Sequence, residues 1–186
     1  MKDKYLFIIV MVCVLCTFGA QNTRAQKMYM DNGKLILDCG EGSGFPQSIV
    51  EKESKQKSIE TDENLIDGTQ NKKVYHKLEI EQSDNTAAIW ATAYNTCQNK
   101  NTGGVTGWRL PTQREMQLIS IFGPAINALT NNGLTTQYWV LTELKAENQY
   151  TAAWYVRSSG YSAATLKSNN SYSYRCVREI PVAANL

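Results

Sequence analysis

Cys97 and Cys176 enclose the part of this 186-residue chain that most restricts its fold. Between them stand Gly107-Trp108-Arg109-Leu110-Pro111-Thr112, then Tyr138-Trp139-Val140-Leu141-Thr142-Glu143, then Tyr174-Arg175-Cys176-Val177-Arg178 at the close. Thr112 with Glu115 three residues on is a capping box, each side chain satisfying a backbone N–H that a first helical turn leaves free. A helix therefore starts there, with Met116, Ile119, Ile121, Phe122 and Ile126 on its buried face. Gly123-Pro124 should kink or split it. Upstream, Ser83-Asp84-Asn85 offers caps. A first helix is expected from Thr86 to Gln98, burying Ala87, Trp90, Ala91, Tyr94 and Cys97 at helical spacing.

Strands surround these helices. Val74, His76, Leu78 and Ile80 alternate with Tyr75, Lys77, Glu79 and Glu81, the period of a half-buried strand. Further strands are expected at Tyr138–Glu143, Ala152–Arg157, Tyr161–Lys167 and Tyr172–Ile180, separated by Asn/Thr-rich or Gly-containing loops. The fold class is α+β: two helices followed by short antiparallel strands. This main domain is placed at residues 72–186. Residues 26–71 hold an N-terminal hairpin and a charged connector. Lys27–Met30 and Leu35–Asp38 flank Asn32-Gly33, a two-residue hairpin turn. A lone hairpin is marginal in water, so this one lies against the main domain or pairs with another chain. The stretch 41–71 is charged and poor in large apolar groups, which suits a connector.

Residues 1–25 have the three parts of a secretory signal: a charged start, an apolar run from Tyr5 to Ala20, and Thr23-Arg24-Ala25 for cleavage after Ala25. The run is shorter than the roughly 20 residues that span a bilayer. Leu15 before Cys16 and Val12 before Cys13 argue against lipidation. The expected location is therefore exported: cell surface, periplasmic or extracellular, with no transmembrane span in the mature chain. The chain carries 19 Lys+Arg and 17 Asp+Glu, and the signal holds Lys2, Lys4 and Arg24 against Asp3. The remainder is balanced. No basic run is left to neutralise phosphates, so nucleic acid is not an expected partner, and no basic amphipathic helix suits a membrane surface.

Cys39, Cys97 and Cys176 remain after the signal. Export favours oxidation, and a Cys97–Cys176 bond would join the first helix to the last strand. Cys39 is left over, either free and buried or paired with another chain.

The block from Leu78 to Glu179 resembles the C-type-lectin-like domain of the Legionella collagen-like adhesin C-terminal and Fibrobacter major paralogous type. The matching elements are Trp90 with Cys97, Gly107 to Thr112 with Glu115, Tyr138-Trp139 with Thr142-Glu143, Ala153-Trp154, and Arg175 to Arg178. The resemblance implies the same α+β fold and supports the pairing of Cys97 with Cys176. It also implies that Trp108, Arg109, Pro111, Thr112 and Glu115 are a fold motif. Exported proteins with such domains are often surface- or pilus-associated.

Catalytic constellations are thin. The Arg-Leu-Pro-Thr segment is also similar to formylglycine-generating enzymes, but those depend on two reactive cysteines late in the chain, and only Cys176 follows Trp108. The sugar-binding motifs of calcium-dependent lectins do not occur, and a Ca²⁺ ion wants six to eight oxygens where the loops supply mainly Glu143 and Glu147. His76 is the only histidine, which leaves no conventional zinc cluster. No metal and no cofactor is expected, and the chain is read as a non-enzyme.

What remains is the loop surface. Asn131, Asn132, Asn169 and Asn170 offer amides and Glu143 a carboxylate. Tyr138, Tyr150, Tyr155, Tyr161, Tyr172 and Tyr174 offer flat amphipathic rings, some of which must face out, and Tyr150, Tyr161 and Tyr172 are the candidates taken from them. Tyrosine beside amides suits sugars or protein surfaces. The expected function is an exported, non-catalytic recognition or adhesion module with a glycan or protein ligand, including the role of fimbrial tip or accessory subunit. The alternatives are a structural fibre-assembly subunit that uses the N-terminal hairpin and, further off, a formylglycine-generating-enzyme-like catalyst.

Overall fold

The computed structural model describes residues 26–40, 74–146 and 149–181. The signal segment expected at 1–25 and the connector expected at 41–71 lie outside the described residues. In chain order the elements are β1 (Lys27–Asp31), β2 (Lys34–Asp38), β3 (Lys77–Ile80), β4 (Asn85–Ala88), α1 (Trp90–Gln98), β5 (Trp108–Arg109), α2 (Gln113–Ile121) and α3 (Gly123–Thr130). They continue with β6 (Gln137–Ala146), β7 (Gln149–Arg157), β8 (Ser162–Leu166), β9 (Tyr172–Tyr174) and β10 (Val177–Glu179). The class is α+β. One sheet has the order β1-β2-β3-β10-β5 and the other β4-β9-β6-β7-β8. All described pairings are antiparallel except β6 with β9.

The hairpin lies against the main domain. Asn32 and Gly33 both have positive φ, as a two-residue turn of this kind requires, and β2 pairs with β3 from Leu35–Ile80 to Asp38–Lys77. Leu35, Leu37 and Cys39 enter the same apolar cluster as Leu78, Ile80, Met116, Ile119, Tyr138 and Val177. A second cluster gathers Trp90, Ala93, Tyr94, Cys97, Trp108, Leu110, Trp139, Leu141, Ala153, Tyr174 and Cys176. Alternate residues of β6 divide between the two, Tyr138 and Val140 to the first, Trp139 and Leu141 to the second. The second sheet is thus covered on both faces along β6.

Several expectations are corrected, among them Ile121, which is 73% exposed rather than on the buried face of its helix. Helix α1 begins at Trp90, not Thr86, because Asn85 and Ala88 pair with Tyr174 and Tyr172 as strand. Asp84 caps no helix; its carboxylate accepts from the Tyr138 hydroxyl at 2.6 Å and from Arg175 Nε at 2.8 Å. The Trp90 indole instead fixes the helix start by donating to the Val140 carbonyl at 2.8 Å. The strand expected from Tyr172 to Ile180 is two strands in different sheets, with Arg175 and Cys176 at the crossing. Along β3 the phase slips before Lys77. Tyr75 is buried while Val74 and His76 are half-buried, because the Tyr75 N–H donates to Glu115 at 3.0 Å. The Gly123-Pro124 break does split the long helix into α2 and α3.

The Trp-Arg-Leu-Pro-Thr segment bridges the sheets. Trp108 and Arg109 pair with Arg178 and Val177 of β10. Two residues later the Leu141 N–H of β6 donates to the Pro111 carbonyl at 2.7 Å, and the Gln113 N–H donates to the Thr142 hydroxyl at 2.8 Å. Thr112 and Glu115 form the expected reciprocal capping box. Glu115 does more, because its carboxylate also takes both Arg109 Nη groups, at 2.7 and 2.9 Å. Arg109 Nε reaches Glu179 of β10 at 3.1 Å, and Nη1 also donates to the Leu110 carbonyl at 3.1 Å. Arg109 and Glu115 are wholly buried. Burial opposes the guanidinium charge, but Glu115 and Glu179 outweigh it and hold the Arg109 pKa above its ordinary value.

Cys97 of α1 is bonded to Cys176, a sequence separation of 79. Breaking it with Cys97→Ser plus Cys176→Ser should cost up to about 4 kcal/mol by the chain-entropy argument, read as a lower urea midpoint; an unchanged midpoint would contradict a structural bond. Arg109→Met leaves two buried carboxylates without their shared cation. It should cost about 3–5 kcal/mol, and a loss no larger than that of the exposed Arg114→Met control would refute the arrangement.

Candidate functional site

Along β7, Tyr155 and Arg157 alternate with Trp154 and Val156. Val156 is buried in the first core cluster and Trp154 packs against it, so Tyr155 and Arg157 occupy the opposite face. There the register sets Tyr155 beside Trp139 of β6, and β9 lies on the other side of β6. Three rings follow. The Trp139 and Tyr172 centroids are 4.7 Å apart with the planes tilted by 46°, and Tyr172 and Tyr155 are 4.7 Å apart at 52°. Trp139 is fully buried and its indole donates to the Ala88 carbonyl at 2.8 Å. Tyr172 and Tyr155 are half-buried.

At the rim the Arg157 guanidinium lies 5.0 Å from the centre of the Tyr161 ring, a cation–π contact. Tyr161 is 56% exposed and Arg157 is exposed. Partial burial raises the Tyr172 pKa, the neighbouring Tyr155 adds to this, and Arg157 opposes it. The hydroxyl is neutral at physiological pH, ready to donate as well as accept. The set is a graded aromatic face: a sealed indole floor, two half-open phenols, and a solvent-facing ring with a cation beside it.

The remaining expected residues divide between this face and other places. On the loop before β9, Asn170 donates to the Thr165 hydroxyl of β8 at 2.7 Å, and the exposed Asn169 accepts from Ser168 at 2.8 Å. These lie next to Tyr172 in the chain. Glu143 does not face solvent as a free carboxylate. It forms an ion pair with the buried Lys167, whose ammonium sits 4.3 Å from the Trp90 ring centre. Asn131 and Asn132 stand in a different loop and serve local structure. Asn131 ends α3 in the left-handed conformation at φ 56°, and Asn132 bonds to Thr130 through its N–H and side chain while its carbonyl accepts from Arg175 at 3.3 Å. The side chain of Tyr150, and all of Glu147, lie outside the described residues. Tyr138 and Tyr174, also candidates as open rings, are buried.

Arg157 was missed from the sequence, and Tyr155 carried no special weight. The signal was present, since the period of two through Trp154-Tyr155-Val156-Arg157 assigns one pair to the core and the other to the far face.

Among the described residues the cysteines form no thiol pair. Cys176 is bonded to Cys97, and Cys39 is a free buried thiol in the first cluster. Burial, with Glu115 and Asp38 nearby, pushes its pKa up from 9.0 to about 12. Among the described residues no group of three His, Cys, Asp or Glu could hold a metal ion, and no helix is long and apolar enough to cross a membrane.

The family model of the Lcl C-terminal domain matches residues 56–178. That is more than half of the chain, and the chain belongs to this family. The match starts upstream of the block its motifs singled out at Leu78. No curated protein matches the sequence.

The raised Cys39 pKa keeps the group a neutral, shielded thiol at pH 8, whereas an unfolded cysteine would be partly ionised and open. Ellman's reagent at pH 8 should leave native residues 26–186 unlabelled and titrate one thiol after denaturation without reductant; rapid native labelling would overturn this assignment.

Proposed function

We propose that this member of the Lcl C-terminal domain family is an exported, adhesin-like recognition module that holds a glycan on the aromatic face of β7 and β9. The observation that carries the reading is the cluster of half-buried Tyr172 and Tyr155 beside the buried Trp139, with the exposed pair Arg157 and Tyr161 further along the same strand and turn. The flat C–H face of a sugar packs on such rings, and its hydroxyls take the phenols, the guanidinium and nearby amides. Asn169 and Asn170, beside Tyr172, supply the amides. Rings already locked by packing lose little side-chain freedom on binding.

The reading is non-catalytic. Cys176 is occupied in a disulfide, Glu143 neutralises Lys167, and Arg109 spends its donors on Glu115, Glu179 and Leu110. A fibre subunit that donates its hairpin fits less well, because Leu35, Leu37 and Cys39 are committed to the chain's own core.

A glycan array probed with the purified chain tests the proposal, with Tyr161→Ala and Arg157→Gln as surface variants and Tyr172→Phe to remove one hydroxyl. Retained glycans should be lost at least ~tenfold in both surface variants, matching about 1.4 kcal/mol, with thermal midpoints unchanged. No retained glycan, or binding indifferent to both variants, would count against it. Capture of a protein ligand at the same face would replace the glycan by a protein partner.

A further inference from the structure

The outer strand of the first sheet has a self-complementary sequence. β1 is the terminal strand and pairs with β2 alone among the described residues. Its five residues are Lys27-Met28-Tyr29-Met30-Asp31, with a cation at one end and an anion at the other. Lys27 and Asp31 are exposed, Tyr29 is half-buried, and Met28 and Met30 pack their inner sides on the first core cluster. An edge strand normally repels further pairing with a charge such as lysine. Here an aspartate sits where an antiparallel copy of the same strand would bring its lysine.

We propose that β1 is the joint of a symmetric dimer, in which β1 of a second copy of this chain pairs antiparallel with it about a twofold axis at Tyr29. The two five-stranded sheets then run on as one.

The backbone parity agrees. Asp31 faces Lys34 across the two-residue turn, and the closing pair of such a hairpin exchanges both of its N–H···O bonds. Counting back along β1, Asp31, Tyr29 and Lys27 turn their backbone groups toward β2, whereas Met28 and Met30 turn theirs outward. An axis at Tyr29 places Met28 of one copy opposite Met30 of the other, so the outward groups meet as hydrogen-bonded pairs. On the side-chain faces, Lys27 meets Asp31 of the second copy twice over, and the methionines of both copies form one apolar row continuous with Leu35 and Leu37.

Competing registers lose these gains. An axis at Met28 sets Lys27 against Tyr29 and leaves Asp31 beyond the strand. An axis at Met30 sets Asp31 against Tyr29 and Lys27 against the turn. A parallel arrangement brings like charges near one another at both ends, which is unfavourable. The joint is shorter than a standard interface, so it is weak in dilute solution. Chains held close together on a surface would use it through their high local concentration. It lies on the opposite sheet from the aromatic face, and its test is independent of any ligand.

Sedimentation velocity on residues 26–186 across the soluble concentration range tests it. The wild type should show a reversible monomer–dimer equilibrium. Lys27→Asp places two aspartates opposite two aspartates, and Asp31→Lys places two lysines opposite two lysines; each alone should weaken the dimer ~tenfold or more. Mixed in equal amounts, the two variants should form a one-to-one heterodimer at least as tight as the wild type, since every opposed pair is then of opposite sign. A misfolded variant would not be rescued by mixing, so the heterodimer separates the joint from a folding defect. A wild type that stays monomeric, a dimer indifferent to both single variants, or variants that fail to combine would each overturn the proposal.

Discussion

Arg109 is a buried cation in a small domain, and its counter-charges come from elements far apart in the chain. Glu115 is in α2 and Glu179 in β10, while Arg109 itself is in β5. A guanidinium out of water is tolerable only when its donors are met and its charge is offset. Meeting those conditions leaves little freedom in where α2 and β10 stand relative to β5. Glu115 extends the constraint, since its other acceptor positions hold the backbone N–H of Tyr75 at the entry to β3 and of Thr112 at the start of α2. Well-packed apolar residues can match the stability of such an ion group. Its distinctive contribution is therefore position: one planar fork fixes a strand, a helix and a sheet partner together.

The same logic recurs where the chain passes between sheets. Two of its crossings, the one after β3 and the one after β9, run side by side. Glu81 N–H donates to the Cys176 carbonyl at 2.9 Å and the Cys176 N–H donates back to the Glu81 carboxylate at 3.1 Å. One step away, Asp84 accepts from Arg175 and from the Tyr138 hydroxyl, and burial together with Asp84 drives the Tyr138 pKa upward. The disulfide adds a covalent tie at this point rather than at a loop tip, which holds α1 against both crossings.

The sequence made the capping box and the Asn-Gly hairpin legible because each is a local device whose partners lie within a few residues. Pattern also yielded α+β and the break at Gly123-Pro124. It misplaced what depends on partners far along the chain. Ser83-Asp84-Asn85 has the chemistry of a helix cap, yet Arg175 and Tyr138 claim Asp84, and pairing with β9 keeps Asn85 to Ala88 extended. Tyr172 to Ile180 alternates well enough for one strand, and only the Arg175 ion pair and the Cys176 bond reveal the change of sheet. Asparagines suggested ligand contacts by composition, but Asn131 supplies a left-handed helix end, a use that composition alone does not distinguish.

These structural commitments narrow where the proposed recognition can occur. With β6 covered on both sides, its aromatic rings are unavailable to a ligand: Tyr138 is bonded to Asp84 and Trp139 to Ala88. Among the described residues, rings in the neighbouring strands β7 and β9 and at the turn before β8 extend from that floor toward water. Tyr172 rests on Trp139, Tyr155 rests on Tyr172, and Arg157 lies over Tyr161. Each outward group is positioned by one further in. A surface built this way is set by the core rather than by loop conformation, so its shape survives changes in the Asn-rich loops as long as Trp139 stays in place.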